Sequence, residues 1–171
     1  AMYDEDGLEP GQWGRGRDYG SLVHRLFEMA IQGSLPKDEQ AYIEQQLVSV
    51  GQDKEWAPVA QKALDGFRAS AIWQEIKASD SVYTETPFAL PAPSGNGVER
   101  GIIDLVYRTP SGWKIVDYKT HARAGEDQVD ELTRHFASQV NTYAQHWQQI
   151  AGEDVDERGL WFTASDRYVR L

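Results

Sequence analysis

Residues 101 to 120, GIIDLVYRTPSGWKIVDYKT, set two carboxylates, Asp104 and Asp117, among aliphatic side chains and place Lys119 two positions after the second. Between the acids lies TPSG, with proline at the second and glycine at the fourth position of a type I turn. A symmetric loop there makes the stretch a hairpin in which paired residue numbers sum to 221, and Asp104 with Asp117 is such a pair. Cross-strand neighbours hold their Cβ atoms roughly 4.5 to 5.5 Å apart, and like charges so placed repel. Alternation puts Ile102, Asp104 and Val106 on one face, and Trp113, Ile115, Asp117 and Lys119 on one face of the second strand, so both acids rise from apolar surfaces. Burying two anions together without a cation is costly. Two readings follow: Lys119 alone neutralises the acids, or a divalent cation sits between them with Lys119 one strand repeat, roughly 6 to 7 Å, further along. Oxygen donors of this kind favour magnesium or manganese over zinc.

The elements that must position these residues are legible from periodicity. Residues 18–32 place Leu22, Leu26, Phe27, Ala30 and Ile31 on one helical arc, with Asp18 as a candidate N-cap and Gly33 as the stop. Helical patterns follow over about 38–50 and 55–77. The period then changes to two: residues 81–90 read as a strand, 98–108 and 112–119 as the hairpin arms, and 158–164 with 167–171 as a closing pair. Between them Val129, Leu132, Phe136, Val140, Tyr143, Trp147 and Ile150 mark one helix over about 127–151. The expected class is α/β, a mixed central sheet flanked by helices with a helical N-terminal half.

Composition excludes several chemistries. The 171 residues, 40% hydrophobic with six tryptophans, suit a single domain over 1–171, with 1–17 as an N-terminal extension. Ala1 and Met2 suggest a module taken from a longer chain. The absence of cysteine excludes a disulfide framework, a thiolate metal site, an iron-sulfur cluster and a cysteine nucleophile, and fits a cytoplasmic protein. No apolar run approaches the ~18 residues of a membrane span, so no membrane partner is expected. The formal charge of −10 disfavours a free-standing tight nucleic-acid binder, although much of it sits in short acidic runs such as Asp4–Asp6 and Glu153–Asp154. No phosphate-binding glycine loop occurs, so no nucleotide site is expected. His121, His135 and His146 show no metal-ligand spacing.

Asp104 followed by Asp117-Tyr118-Lys119 resembles the core of the PD-(D/E)XK nucleases, and GIID with IVDYKT is similar to the RecB/AddA type, the C-terminal nuclease module of recombinational-repair helicases. GSLVHRLFE resembles the helix that carries this family's histidine, here His24; ETPF resembles its strand glutamate, here Glu85; QVNTY resembles its Gln-x-x-x-Tyr motif, here Gln139 and Tyr143. The proline of the family's name is replaced by Ile102 and Ile103 before Asp104. The resemblance implies a restriction-endonuclease-like fold and magnesium-dependent hydrolysis of DNA phosphodiesters, with manganese able to substitute. It implies a metal held by His24, Asp104, Asp117 and the Tyr118 carbonyl, and Lys119 as the catalytic cation. Glu85 would orient Lys119 or hold a second ion, and Gln139 with Tyr143 would contact the DNA backbone or the lysine. Implied partners are DNA, as single strands or ends, a helicase region in the parent chain and a second nuclease-helicase subunit. The alternatives are a catalytically silent docking module of the same fold and a metal-dependent hydrolase of RNA.

Overall fold

The computed structural model describes residues 13–92, 94–120 and 126–171; expectations placed on residues 1–12 and on His121 lie outside these. The described residues gather into two compact units. One takes the chain up to Gln74, the segment from Tyr118 and Phe162–Arg167; the other takes Glu75–Asp117, Glu126–Trp161 and Tyr168–Leu171.

In the first unit, helix α1 runs Trp13–Gln32. It starts ahead of Asp18, which therefore lies inside the helix instead of capping it; a cap contributes only about 1 kcal/mol and does not by itself fix a helix start. Its end is as expected. Gly33 takes φ +70°, its N–H reaches the Ala30 carbonyl at 3.2 Å and the Ser34 N–H reaches Met29 at 2.9 Å, which is Schellman closure. Helix α2, Glu39–Ser49, is capped by Asp38, which accepts from the Ala41 N–H at 3.0 Å. The single helix expected over 55–77 is broken into a 3₁₀ turn, Lys54–Trp56, then α3, Ala57–Arg68, and α4, Ala71–Ala78. Ser70 makes the break: its hydroxyl donates to the Phe67 carbonyl at 2.6 Å and accepts from the Trp73 N–H at 3.2 Å, closing one helix and opening the next. A bidentate pair ties α3 to α2, Arg68 to the two Glu39 oxygens at 2.8 and 2.7 Å. The unit's core centres on Phe27, stacked on Phe67 at 4.2 Å, with the Tyr118 ring edge-on to both at 4.9 and 5.6 Å.

The second unit holds strands β1 (Val82–Pro91) and β2 (Val98–Thr109), all but the end residues of β3 (Gly112–Lys119), β4 (Val155–Phe162) and β5 (Arg167–Arg170), and helix α5 (Glu126–Ala151) between β3 and β4. The five strands form one sheet in chain order. β1 with β2, and β2 with β3, pair antiparallel. β3 and β4 are joined through α5, the kind of helical crossover that parallel neighbours require, so the sheet is mixed. Its tight packing partner is α5, whose Trp147 meets Trp113 at 5.1 Å and Tyr83 at 5.5 Å. Helices, three strands, helix, two strands is the order the periodicities predict, and the architecture is the restriction-endonuclease-like α/β arrangement. Among the described residues no helix is long and apolar enough to cross a membrane.

Candidate active site

The hairpin turn is a two-residue loop, Pro110-Ser111, and every β2–β3 pair from Thr109–Gly112 to Leu105–Val116 obeys the expected sum of 221. Thr109 stabilises the turn by accepting from the Ser111 N–H at 3.3 Å and donating to the Gly112 carbonyl at 3.0 Å. The next step of the same register sets Asp104 opposite Asp117, and both are buried, at 6% and 5% exposure. Trp113, two positions before Ile115 and four before Asp117, turns toward α5, so alternation directs Asp117 to that face of β3.

The register of β1 extends this row. Pairs on either side, Thr84–Leu105 and Thr86–Ile103, have residue numbers summing to 189, which sets Glu85 opposite Asp104. Glu85 takes φ +45°, the left-handed region that a residue with a Cβ rarely enters. Its effect on β1 is visible on either side: Tyr83 and Phe88, an odd number of residues apart, both pack against α5, which strict alternation forbids. Such strain, of order 1 to 3 kcal/mol, collects at functional sites. Glu85 and Asp104 bring carboxylate oxygens within 4.8 Å of each other. Two full charges at that spacing repel by on the order of 3 kcal/mol at an effective dielectric of 20. Three acids thus fall in one row across three neighbouring strands, an arrangement suited to a hard divalent cation. Alternation along an isolated strand would leave Glu85 exposed; the structure makes it half-buried. The sum of 189 was the signal that could have found it, but it depends on pairing across the long 91–97 loop and not on a tight turn.

In the helical unit, His24 lies half-buried on α1 with its ring edge-on to Tyr118 at 5.3 Å. One turn earlier Gly20 allows α1 to sit on Thr120, since a Cβ at position 20 would come 2.9 Å from the Thr120 hydroxyl oxygen. From the other side the Thr163 N–H reaches the Lys119 carbonyl at 2.9 Å. The backbone Tyr118-Lys119-Thr120 is therefore gripped at both its flanks, and the Lys119 side chain is buried. Gly20 and Thr120 escaped the sequence reading because neither carries site chemistry; only the close approach gives them a role. On α5, Gln139 is half-buried, while Tyr143 is buried with its ring edge-on to Phe88 at 5.3 Å.

The turn end of the same hairpin holds a different cluster. Lys114, buried, donates to Glu157 at 2.7 Å and to Glu75 at 3.4 Å, and lies 4.6 Å from the centre of the Tyr168 ring. The Tyr107 hydroxyl donates to Glu75 at 3.0 Å, and that of Tyr168 to Glu157 at 2.8 Å. Burial opposes ionisation of Glu157, but hydrogen bonds from Lys114 and Tyr168 and the charges of Lys114 and Arg170 outweigh it and hold the carboxyl below its usual range. Burial first, then the neighbouring carboxylates, push both phenols well above theirs.

Comparison with known proteins places this geometry. The family model of the PD-(D/E)XK nuclease superfamily matches residues 2–171. Among curated relatives, a protein of Carboxydothermus hydrogenoformans named as one subunit of an ATP-dependent helicase/nuclease is 32% identical over 60% of this chain and 10% of its own length. The protein of the same name from Desulforamulus reducens is 25% identical over 99% of this chain and 14% of its own length. That from Geobacillus thermodenitrificans is 29% identical over 70% and 11%. The chain thus spans between a tenth and a seventh of the length of these relatives.

Proposed function

The chain belongs to the PD-(D/E)XK nuclease superfamily, and from that premise we propose that it is the magnesium-dependent deoxyribonuclease module of a helicase-nuclease that processes DNA for recombinational repair. The observation that carries the reading is the row Glu85, Asp104, Asp117 on adjacent strands, ending beside Lys119 on β3. In this reading the donors are Asp104, Asp117, the imidazole of His24 and the Tyr118 carbonyl, ligand types that a magnesium or manganese ion accepts. Bound there, the ion supplies Lewis acidity at the scissile phosphate. The register of the three strands sets the positions from which the acids project. Lys119 orients the attacking water by hydrogen bonding and faces the negative charge that grows on the phosphoryl oxygens in the transition state. The strand that carries it is held by the hydrogen bond from the Thr163 N–H to the Lys119 carbonyl. Glu85 orients Lys119 or contributes to a second ion, and Gln139 and Tyr143 support the substrate side from α5. The partners that would deliver strands to an acidic domain are a helicase region and a second nuclease-helicase subunit.

The test is incubation of the protein with end-labelled single- and double-stranded DNA and RNA, with magnesium and then with EDTA. Cleavage of DNA that needs magnesium and stops with EDTA is the expected result. Cleavage that persists in EDTA, or of RNA alone, overturns the reading.

A further inference from the structure

Helix α5 and the β1–β2 ribbon are keyed together by three rings. Phe88 of β1 meets two side chains that stand one turn apart on α5: the Tyr143 ring is edge-on to it at 5.3 Å, and the His146 ring lies 4.6 Å away. Gly101, its cross-strand partner on β2, leaves the space, since a Cβ there would come 2.5 Å from the Phe88 ring and 3.3 Å from that of Tyr143. His146 is buried, and neither of its ring nitrogens makes a hydrogen bond, although buried polar atoms are nearly always paired. The Glu99 carboxylate of β2 lies 3.5 Å from Nε2, beyond the roughly 2.7 to 2.9 Å of a charge-assisted bond. Glu99 is half-buried. Of these groups around the imidazole, Glu99 is the charged one and Tyr143 the other that titrates.

We propose that His146 is a positioning residue: its protonation tightens the contact between α5 and the ribbon and, through Phe88, sets the Tyr143 ring on the substrate side of the acid row. The proposal rests on the nuclease reading above. The keyed rings and the row share one ribbon. Phe88–Gly101 and Glu85–Asp104 obey the same register and lie three residues apart on each strand, about 10 Å at ~3.3 Å per residue. A neutral imidazole has one N–H to offer Glu99. The imidazolium offers Nε2–H together with a full charge, and the Coulomb attraction across a partly dry gap draws the carboxylate into bonding distance. The two partners sit on the two elements to be joined, His146 on α5 and Glu99 on β2. Tyr143, the group that the reading sets toward substrate, shares the Phe88 ring with His146, so a shift of that ring against His146 is also a shift against Tyr143.

Glu99→Gln keeps the size of a half-buried side chain and removes its charge; His146→Gln keeps a hydrogen-bonding group and removes the titration. Steady-state cleavage of single-stranded DNA with magnesium is measured for both variants and the wild type at about pH 6 and about pH 8, on the two sides of the ordinary imidazole value. Expressing each variant as a ratio to the wild type cancels the titrations common to all. Near pH 6, KM is expected to rise roughly fivefold in both variants, the low end of coupling between two sites, with kcat unchanged. Near pH 8 the ratio is expected to return to one. In a Tyr143→Phe background, which keeps the ring and removes the hydroxyl offered to substrate, the effect at the lower pH is expected to vanish. Thermal melts follow the same sign: Glu99→Gln should lower Tm near pH 6 and leave it unmoved near pH 8. A KM ratio that is the same at both pH values overturns the proposal, as does an undiminished effect in Tyr143→Phe or an equal fall in Tm at both. Failure of the nuclease reading looks different: the wild type then cleaves no DNA at either pH, while the melts still test the pair.

Discussion

At the turn end of the β2–β3 hairpin one lysine, Lys114, stands between two glutamates, and two tyrosine hydroxyls complete their hydrogen bonding. A few residues further along, Glu85 on β1, Asp104 on β2 and Asp117 on β3 fall in adjacent register positions, acid facing acid, with Lys119 two residues past the last. With Arg170 3.6 Å from Glu157 as a second cation, the first cluster sets two positive charges against two negative ones and has the form of a structural network. The second concentrates negative charge where strand geometry would otherwise favour apolar or opposite-charge pairs. One hairpin thus holds both a closed polar network and a row of like charges, and the difference teaches that burial of charge marks a candidate site only when the charges are of one sign.

The sharpest break between the two ends is expected in cleavage. Lys119→Ala should lower the rate by 10²- to 10³-fold, on the order of 3 to 4 kcal/mol, while calorimetric manganese titration stays intact. Asp117→Ala should lose cleavage and metal binding together. Near-full activity in Lys119→Ala would make Lys119 a structural counter-charge like Lys114. Next in size, magnesium or manganese at a hundred times its dissociation constant should stabilise the wild type by about 2.7 kcal/mol in thermal melts and leave Asp104→Ala unmoved. An equal shift in both would move the ion away from the row.

At the turn end the expected effect is on stability alone. Lys114→Met should cost roughly 2 kcal/mol in urea unfolding with cleavage preserved, because two partly buried carboxylates lose their cation. The pH dependence has a definite sign. Glu157 is held below its ordinary value in the folded protein, so its contribution is present above that value of 4.5 and is lost as pH falls below it. Tyr107 and Tyr168 are raised, so theirs is present below pH 10 and is lost as pH climbs above it. Urea midpoints across pH 3 to 11 should fall at both limbs, and Lys114→Met should flatten the acid limb. Smallest is Tyr168→Phe, expected to cost about 1 kcal/mol through loss of one hydrogen bond to Glu157.

Legibility in the sequence followed the range of the interactions. The hairpin register was readable because Thr109–Gly112 fixes it through a two-residue turn, and Asp104 and Asp117 follow by counting. The α1 stop was readable because Gly33 and Ser34 close the helix with their own backbone. The break at Ser70 was not, because Ser inside an apolar period reads as a tolerated residue until its hydroxyl is seen bridging Phe67 and Trp73. Nor was the half-buried setting of Glu85, because alternation does not anticipate the left-handed backbone there.

What the amino-acid order determined by itself was therefore the succession of helical and strand regions and the pairing across the tight turn, since periodicity and turn chemistry act within a few residues. Tertiary structure alone decided that Glu85 joins the row, that Gly20 seats α1 on Thr120, and that Phe88 of β1 packs against α5. Each of these depends on segments far apart in the chain meeting in one register, and the free energy that selects the register is summed over the whole packed surface rather than carried by any residue that shows it.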